Sequence, residues 1–172
     1  MRLTALILSA GLMVASQASA AATSATAELK GADGKTIGTA ALTEAPHGVL
    51  LKIEAKGLTP GWHGLHFHEK GDCGTPDFKS AGAHVHTTTA VVHGLLNPDG
   101  NDNGDLPNLF AAADGAATAE LFSSLVSLNG AGGRPALLDP DGSSIVVHAS
   151  PDDYKTQPIG GAGARVACGV VK

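Results

Sequence analysis

Residues 61–73 read GWHGLHFHEKGDC, and the alternation inside this stretch constrains the fold more than any other feature of the chain. Side chains two apart on a β-strand share a face. A strand over Trp62–His68 therefore points His66 and His68 to one side, and His63, Leu65 and Phe67 to the other, toward a core. Two imidazoles side by side on a rigid strand make half of a metal site, and imidazole suits copper and zinc alike. The other half must come from elsewhere in the chain.

The surrounding sequence is strand-like. Ala27–Lys30 and Thr36–Leu42 flank Ala32-Asp33-Gly34-Lys35, whose Asp-Gly dipeptide is a strong hairpin signal. In Val49–Ala55, the apolar Val49, Leu51 and Ile53 alternate with Leu50, Lys52 and Glu54. Leu58-Thr59-Pro60-Gly61 turns the chain into the histidine strand. Asn108–Ala113 and Ala116–Phe122 are joined by Asp114-Gly115, and Ser144–His148 and Ala164–Val171 follow. With Ile145 and Val147 facing in, His148 faces out, as His66 and His68 do. Three long connections, Lys70–Pro107, Ser123–Ser143 and Ala149–Gly163, separate these runs, and loops of such length in a compact domain are usually functional. Eight short strands with no amphipathic helix predict an all-β sandwich or barrel.

The first twenty residues stand apart. Arg2, the apolar run Leu3–Val14 and Ala18-Ser19-Ala20 have the order of a secretory signal peptide. The expected organisation is a signal peptide over 1–20 and one domain over 21–172. The apolar run is short for a membrane span. Without Arg2 the chain carries ten Lys and Arg against sixteen Asp and Glu, a net charge of −6. That balance argues against nucleic acid or an anionic membrane surface as a partner. In an exported chain the two cysteines, Cys73 and Cys168, read as a disulfide; free thiols or copper-binding thiolates are the alternatives.

Seven of the eight histidines lie between His63 and His148, while His47 stands in a turn. His66, His68, His84 and His148 together offer a four-imidazole copper site, and imidazole-rich sites favour copper by affinity. His84, His93, Asp102 and Asp105 mix nitrogen and oxygen ligands in the number and type that zinc takes.

At this point the residues resemble a known family. GWHGLHFHEKGDC, SAGAH at 80–84, HGLLNP at 93–98, NGDLPN at 103–108, VVHASPDD at 146–153 and GGAGARVACGVV at 160–171 are similar, in family order, to the secreted bacterial copper-zinc superoxide dismutases. The resemblance implies an eight-stranded Greek-key β-barrel of the sandwich type, with long metal-binding and electrostatic loops. It implies copper on His66, His68, His84 and His148, with His84 bridging to zinc, and a disulfide between Cys73 and Cys168. It also implies that Asp152 links the copper-side and zinc-side histidines, that Arg165 stands at the mouth of the copper channel, and that His63 is structural. The implied reaction is disproportionation of superoxide to dioxygen and hydrogen peroxide in the periplasm, with His84 and Arg165 as the working residues.

Two departures from the family pattern concern zinc. Asp102 stands where the family usually has a zinc histidine, three residues before Asp105. The bridging segment reads His84-Val85-His86-Thr87, with His93 nine residues beyond His84, one more than usual. Either Asp102 or His86 can complete the zinc shell. Lys155 is a candidate helper of Arg165, and Asp153 reads as a surface acid. Trp62 and Phe67 read as packing residues. A non-catalytic copper or zinc binder on the same barrel, a copper-only enzyme, and monomer against homodimer are the remaining alternatives.

Overall fold

The computed structural model describes residues 23–172, so the expected signal peptide over 1–20 lies outside the described residues. Nine strands make the fold: β1 Ser24–Gly31, β2 Thr36–Ala45, β3 Gly48–Ala55, β4 Gly61–His63, β5 Leu65–His68, β6 Leu109–Ala111, β7 Ala117–Ser123, β8 Ser144–His148 and β9 Arg165–Val170. The only helical pieces among the described residues are three-residue 3₁₀ turns at Lys79–Ala81 and Ala131–Gly133.

All pairs are antiparallel, in the order β4-β6-β7-β3-β2-β1-β9-β8-β5. The first and last members of that order, β4 and β5, are one stretch of chain interrupted at Gly64. The ladder is thereby bent into a nearly closed barrel, which removes most of the exposed edge. The jumps from β3 to β4 and from β7 to β8 pass over neighbouring strands, as in a Greek key.

The nine segments correspond to eight expected runs, because Trp62–His68 changes partners midway. Trp62 pairs with Phe110 on one side, His66 with Val146 on the other. Gly64 makes the change: its N–H donates to Ser150 O at 2.8 Å and its carbonyl accepts from His148 N at 2.8 Å. A side chain there would meet Ala162 Cβ at 2.7 Å.

Alternation sorts each strand. Ala25, Ala27 and Leu29 of β1, Val49, Leu51 and Ile53 of β3, Leu65 and Phe67 of β5, and Ile145 and Val147 of β8 are buried in one core cluster. His66 and His68 keep the opposite phase and are buried instead by the long loop between β5 and β6. Trp62 differs from its expected packing role. It is 55 % exposed on the outer wall, where its ring stands 4.9 Å from that of Phe110, because its strand phase opposes that of His63. His47 is exposed in its turn.

The loop is fastened to the free edge of β5. Phe67 N donates to Gly104 O, and Phe67 O accepts from Val85 N, each at 2.9 Å; Glu69 N donates to Ala83 O at 2.9 Å. These bonds satisfy backbone groups that an edge strand leaves unpaired. The second fastener is the Cys73–Cys168 disulfide, spanning 95 residues and tying the loop to β9. A closed loop of that order stabilises a fold by about 4–5 kcal/mol on the chain-entropy account.

Gly104 permits the close approach at β5, since a Cβ on it would lie 2.4 Å from Phe67 O and 2.8 Å from His84 Cβ. Gly104→Ala is expected to destabilise the protein by about 2 kcal/mol and to weaken metal retention at His84. Thermal denaturation and metal content per chain check both effects; unchanged values would mean the edge contact is dispensable.

Candidate metal centre

Four side chains from three remote parts of the chain converge outside the barrel wall. His66 and His68 project from β5, His148 from the end of β8, and His84 from the loop laid along β5, where it bridges opposite His68. One nitrogen from each lies within 4.8 Å of the other three. The His66 ring centroid is 4.1 Å from that of His84 and 4.8 Å from that of His148.

The outer nitrogens are already bound, which fixes each tautomer. His68 Nδ1–H donates to Gly82 O at 3.0 Å, and His148 Nδ1–H to Gly163 O at 3.1 Å. His66 Nε2–H donates to Asp152 Oδ2 at 2.9 Å. The inner nitrogens, His66 Nδ1 and Nε2 of His68, His84 and His148, are buried without a partner. Buried polar groups in native proteins almost always have partners. These four nitrogens are half of the eight such side-chain atoms among the described residues. Four inner imidazole nitrogens gathered this closely fit a copper ion.

The other nitrogen of His84 opens a second group. Its Nδ1 is 2.7 Å from Asp102 Oδ2 and 3.6 Å from Asp105 Oδ1. His93 Nδ1 is 3.5 Å from Asp102 Oδ2 and 2.7 Å from Asp105 Oδ1. Tetrahedral zinc with bonds near 2.0–2.1 Å needs ligand atoms about 3.3 Å apart, so this donor set fits it. Distance alone also brings His66 near His84, His93 and Asp105. Its Nε2 is taken by Asp152, however, and its Nδ1 is the atom left for the four-nitrogen group. His86 belongs to neither group. Its Nδ1 is 2.7 Å from His84 O, two residues back, and 3.8 Å from Glu69 Oε2, and the side chain stays partly exposed.

Asp152 joins the two groups. Oδ2 accepts from His66, while Oδ1 accepts from His93 Nε2–H at 3.1 Å and from Tyr154 N at 2.6 Å. Two side-chain amides hold this link by its backbone. Asn108 accepts from Asp152 N at 2.9 Å and donates to Asp152 O at 2.8 Å. Gln157 does the same for His93, at 2.9 and 2.8 Å. Gly160 makes room, since a Cβ there would lie 1.6 Å from Asp152 Oδ1. Asn108 appears in the NGDLPN motif and Gly160 opens the GGAGARVACGVV motif, but nothing in the residue pattern pointed to Gln157.

Arg165 is pinned beside the site. Its Nη1 donates to Phe78 O at 2.7 Å and its Nη2 to Gly82 O at 2.6 Å, the carbonyl that also holds His68. Lys155 is exposed and does not line the cavity in which Arg165 and His84 meet. His63 is buried, with its ring nitrogens 2.6 Å from His148 O and 2.7 Å from Thr59 O, and Asp153 is an exposed cap for Lys155 N and Thr156 N.

In the metal-free protein the two groups titrate in opposite senses. Burial, aided by the charge on His84, pushes His68 down to about 2, and burial with His66 nearby pushes His148 down to about 3. His66 is lowered as well, chiefly by burial. Burial acts on His84 and His93 too, but hydrogen bonds to Asp102 and Asp105 outweigh it, raising both, His93 to about 11. Asp102, Asp105 and Asp152 are held below the usual carboxylate range, since their histidine partners overcome the burial that would raise them.

Comparison with known proteins places these features in context. Residues 36–171 match the copper/zinc superoxide dismutase (SODC) family. A Caulobacter vibrioides protein named superoxide dismutase [Cu-Zn] is 80 % identical over 149 residues, covering 87 % of this chain and 86 % of its own. The crystal structure of a SOD-like protein from Bacillus subtilis superposes with a TM-score of 0.78 at 38 % identity, over 84 % of this chain and 96 % of that one. Cu/Zn superoxide dismutase from Brucella abortus does so with a TM-score of 0.69 at 34 % identity, over 87 % of this chain and 99 % of that one.

Stability of the metal-free protein follows from these shifts. Below about pH 6.5 the unfolded chain protonates His68 and His148 while the folded one does not, so stability falls with falling pH. Above it the folded chain keeps protons on His84 and His93 that the unfolded chain loses, so stability falls as pH rises toward 11. The melting temperature of chelator-stripped protein should peak near pH 6–7. A steady rise from pH 5 to 9 would contradict the protonation states assigned here.

Proposed function

This chain belongs to the copper/zinc superoxide dismutase family, and we propose that it works as a dismutase with copper on His66, His68, His84 and His148 and zinc on His84, His93, Asp102 and Asp105. The observation that carries the ligand assignment is the set of four orphaned inner nitrogens whose opposite ring nitrogens are already bound. Such an arrangement is preorganised for a cation.

Copper held there would supply a centre with two accessible oxidation states, so that one electron passes from one superoxide ion to the next and, with the uptake of two protons, dioxygen and hydrogen peroxide result. Zinc lacks that redox capacity. The protein supplies the rest. Arg165, held by two carbonyls, presents its remaining N–H groups to a small anion at a fixed place. His84 is placed to hold and release a proton at Nε2, because its Nδ1 is fixed on the side of Asp102. Asp152 keeps His66 and His93 in register, so that neither ring turns while His84 exchanges its proton. The chain is acidic overall, so Arg165 works against the net charge of the molecule. Local focusing of this kind raises on-rates by about 10- to 1000-fold and weakens with salt.

The basic, apolar and small-residue order of the first twenty residues supports export to the periplasm with processing before Ala21. The Cys73–Cys168 disulfide fits an oxidising compartment. The mass of protein recovered from a periplasmic extract is expected to correspond to residues 21–172; retention of residues 1–20 would overturn that assignment.

Superoxide consumption by metal-loaded protein tests the reaction. His148→Ala should reduce it to background and lower copper per chain while zinc is kept. Arg165→Gln should slow it about tenfold at low ionic strength and flatten the salt dependence. Equal activity in His148→Ala and the unaltered protein would remove the copper assignment, and equal salt slopes would remove Arg165 from steering.

A further inference from the structure

Beside the metal centre a cavity of about 300 Å³ opens between the loop after β5 and the loop before β9. That is the lower end of volumes that hold small organic ligands, and far more than a two-atom anion fills. Its walls are largely apolar: Val91 from one loop, Pro158 and Ile159 from the other. Val91 is 36 % exposed and Ile159 partly exposed, so these side chains meet solvent and are not packed into the core. Arg165 and His84 also line it, with His86, His93, Asp102 and Gln157.

The charge in the cavity has one sign available. Arg165 uses one N–H on each Nη for Phe78 O and Gly82 O, leaving three of its five donors. The one carboxylate in the lining, Asp102, has both oxygens engaged, Oδ2 with His84 Nδ1 and Oδ1 with Gly104 N. A fixed cation sharing a cavity with apolar walls is a receptor for a molecule with one negative head and an apolar body. Superoxide has the head and lacks the body, so the walls contribute nothing to binding it.

We propose that this cavity binds a singly charged amphipathic organic anion, an aryl or cycloalkyl carboxylate, with the carboxylate at Arg165 and the ring between Val91, Pro158 and Ile159. Because Arg165 and His84 both line the cavity, an occupant on Arg165 competes with superoxide for it and inhibits competitively; the inhibition rests on the reading given under Proposed function, whereas the binding does not.

The probes are benzoate, acetate and benzamide, titrated calorimetrically into the metal-loaded protein, with superoxide consumption measured in parallel. Benzoate should bind at least tenfold more tightly than acetate, which lacks the ring, and than benzamide, which lacks the charge. Ile159→Ser and Val91→Ser, both at solvent-facing positions, should each bring benzoate toward acetate while leaving acetate unchanged. The copper electron paramagnetic resonance spectrum should not change on benzoate addition, placing the carboxylate on Arg165. Benzoate no tighter than acetate, or equally tight in both serine variants, overturns the proposal, as does a copper spectrum showing direct carboxylate ligation. A protein that binds benzoate but consumes no superoxide supports the site and overturns the reaction. An active dismutase indifferent to benzoate overturns the site alone.

Discussion

The centre depends on one buried carboxylate. Asp152 accepts a hydrogen bond from His66 in the four-nitrogen group through one oxygen and from His93 in the mixed group through the other. Without it, His66 Nε2 and His93 Nε2 would be buried donors lacking partners, and a group left so costs on the order of 1–3 kcal/mol. The rings would also be free to turn, and neither inner nitrogen would be held toward a cation. The barrel is arranged to keep this carboxylate in place. Asn108, just before β6, grips its backbone in both directions, and Gly160 leaves the space it occupies. Gln157, from the same loop as Asp152, grips His93 in turn. Two loops that are unrelated in sequence are thereby locked to one another through main-chain mimicry by side-chain amides.

The barrel wall makes that locking possible. A strand that leaves one set of ladder partners at Gly64 and joins another ends with a free edge at β5, and the loop after it uses that edge as a template. Phe67 is the pivot: its side chain is in the core while its backbone N–H and C=O hold Gly104 and Val85. His84 is therefore set by main-chain pairing, which is stiffer than a side-chain contact. The disulfide, on the far side of His84 from Gly104, closes the same loop against β9.

Much of this is legible in the residues, and the limit of legibility has a physical cause. Alternation in Val49–Ala55, Trp62–His68 and Ser144–His148 showed which side chains enter the core, because a strand has only two faces. Asp-Gly dipeptides marked two hairpins. The convergence of His66, His68, His84 and His148 came from resemblance, since no periodicity reaches across the long loops. What stayed hidden is set by tertiary contact. The change of partners at Gly64, the hold of Gln157 on His93 and the apolar cavity each depend on how separate segments meet. The choice between Asp102 and His86 is of the same kind: both lie in a polar loop, and only the folded chain shows Asp102 buried against His84 and His93 while His86 turns to a carbonyl.

Asp102 has a consequence for the electrostatics of the whole site. With Asp105 it puts two carboxylates in a group that offers only two imidazoles, and in the metal-free chain those carboxylates hold protons on His84 and His93. The four-nitrogen group, a few ångströms away, has the opposite tendency: burial keeps His68 and His148 neutral. One half of the centre is thus a mixed nitrogen and oxygen cage carrying two carboxylate charges, and the other is a cage of imidazoles alone. His84 belongs to both, and with Asp152, which bonds His66 on one side and His93 on the other, it carries charge in one half to the other. An imidazole at position 102 would leave both halves of similar character. A carboxylate there makes them differ, so the two cages present different charge and donor chemistry to a cation.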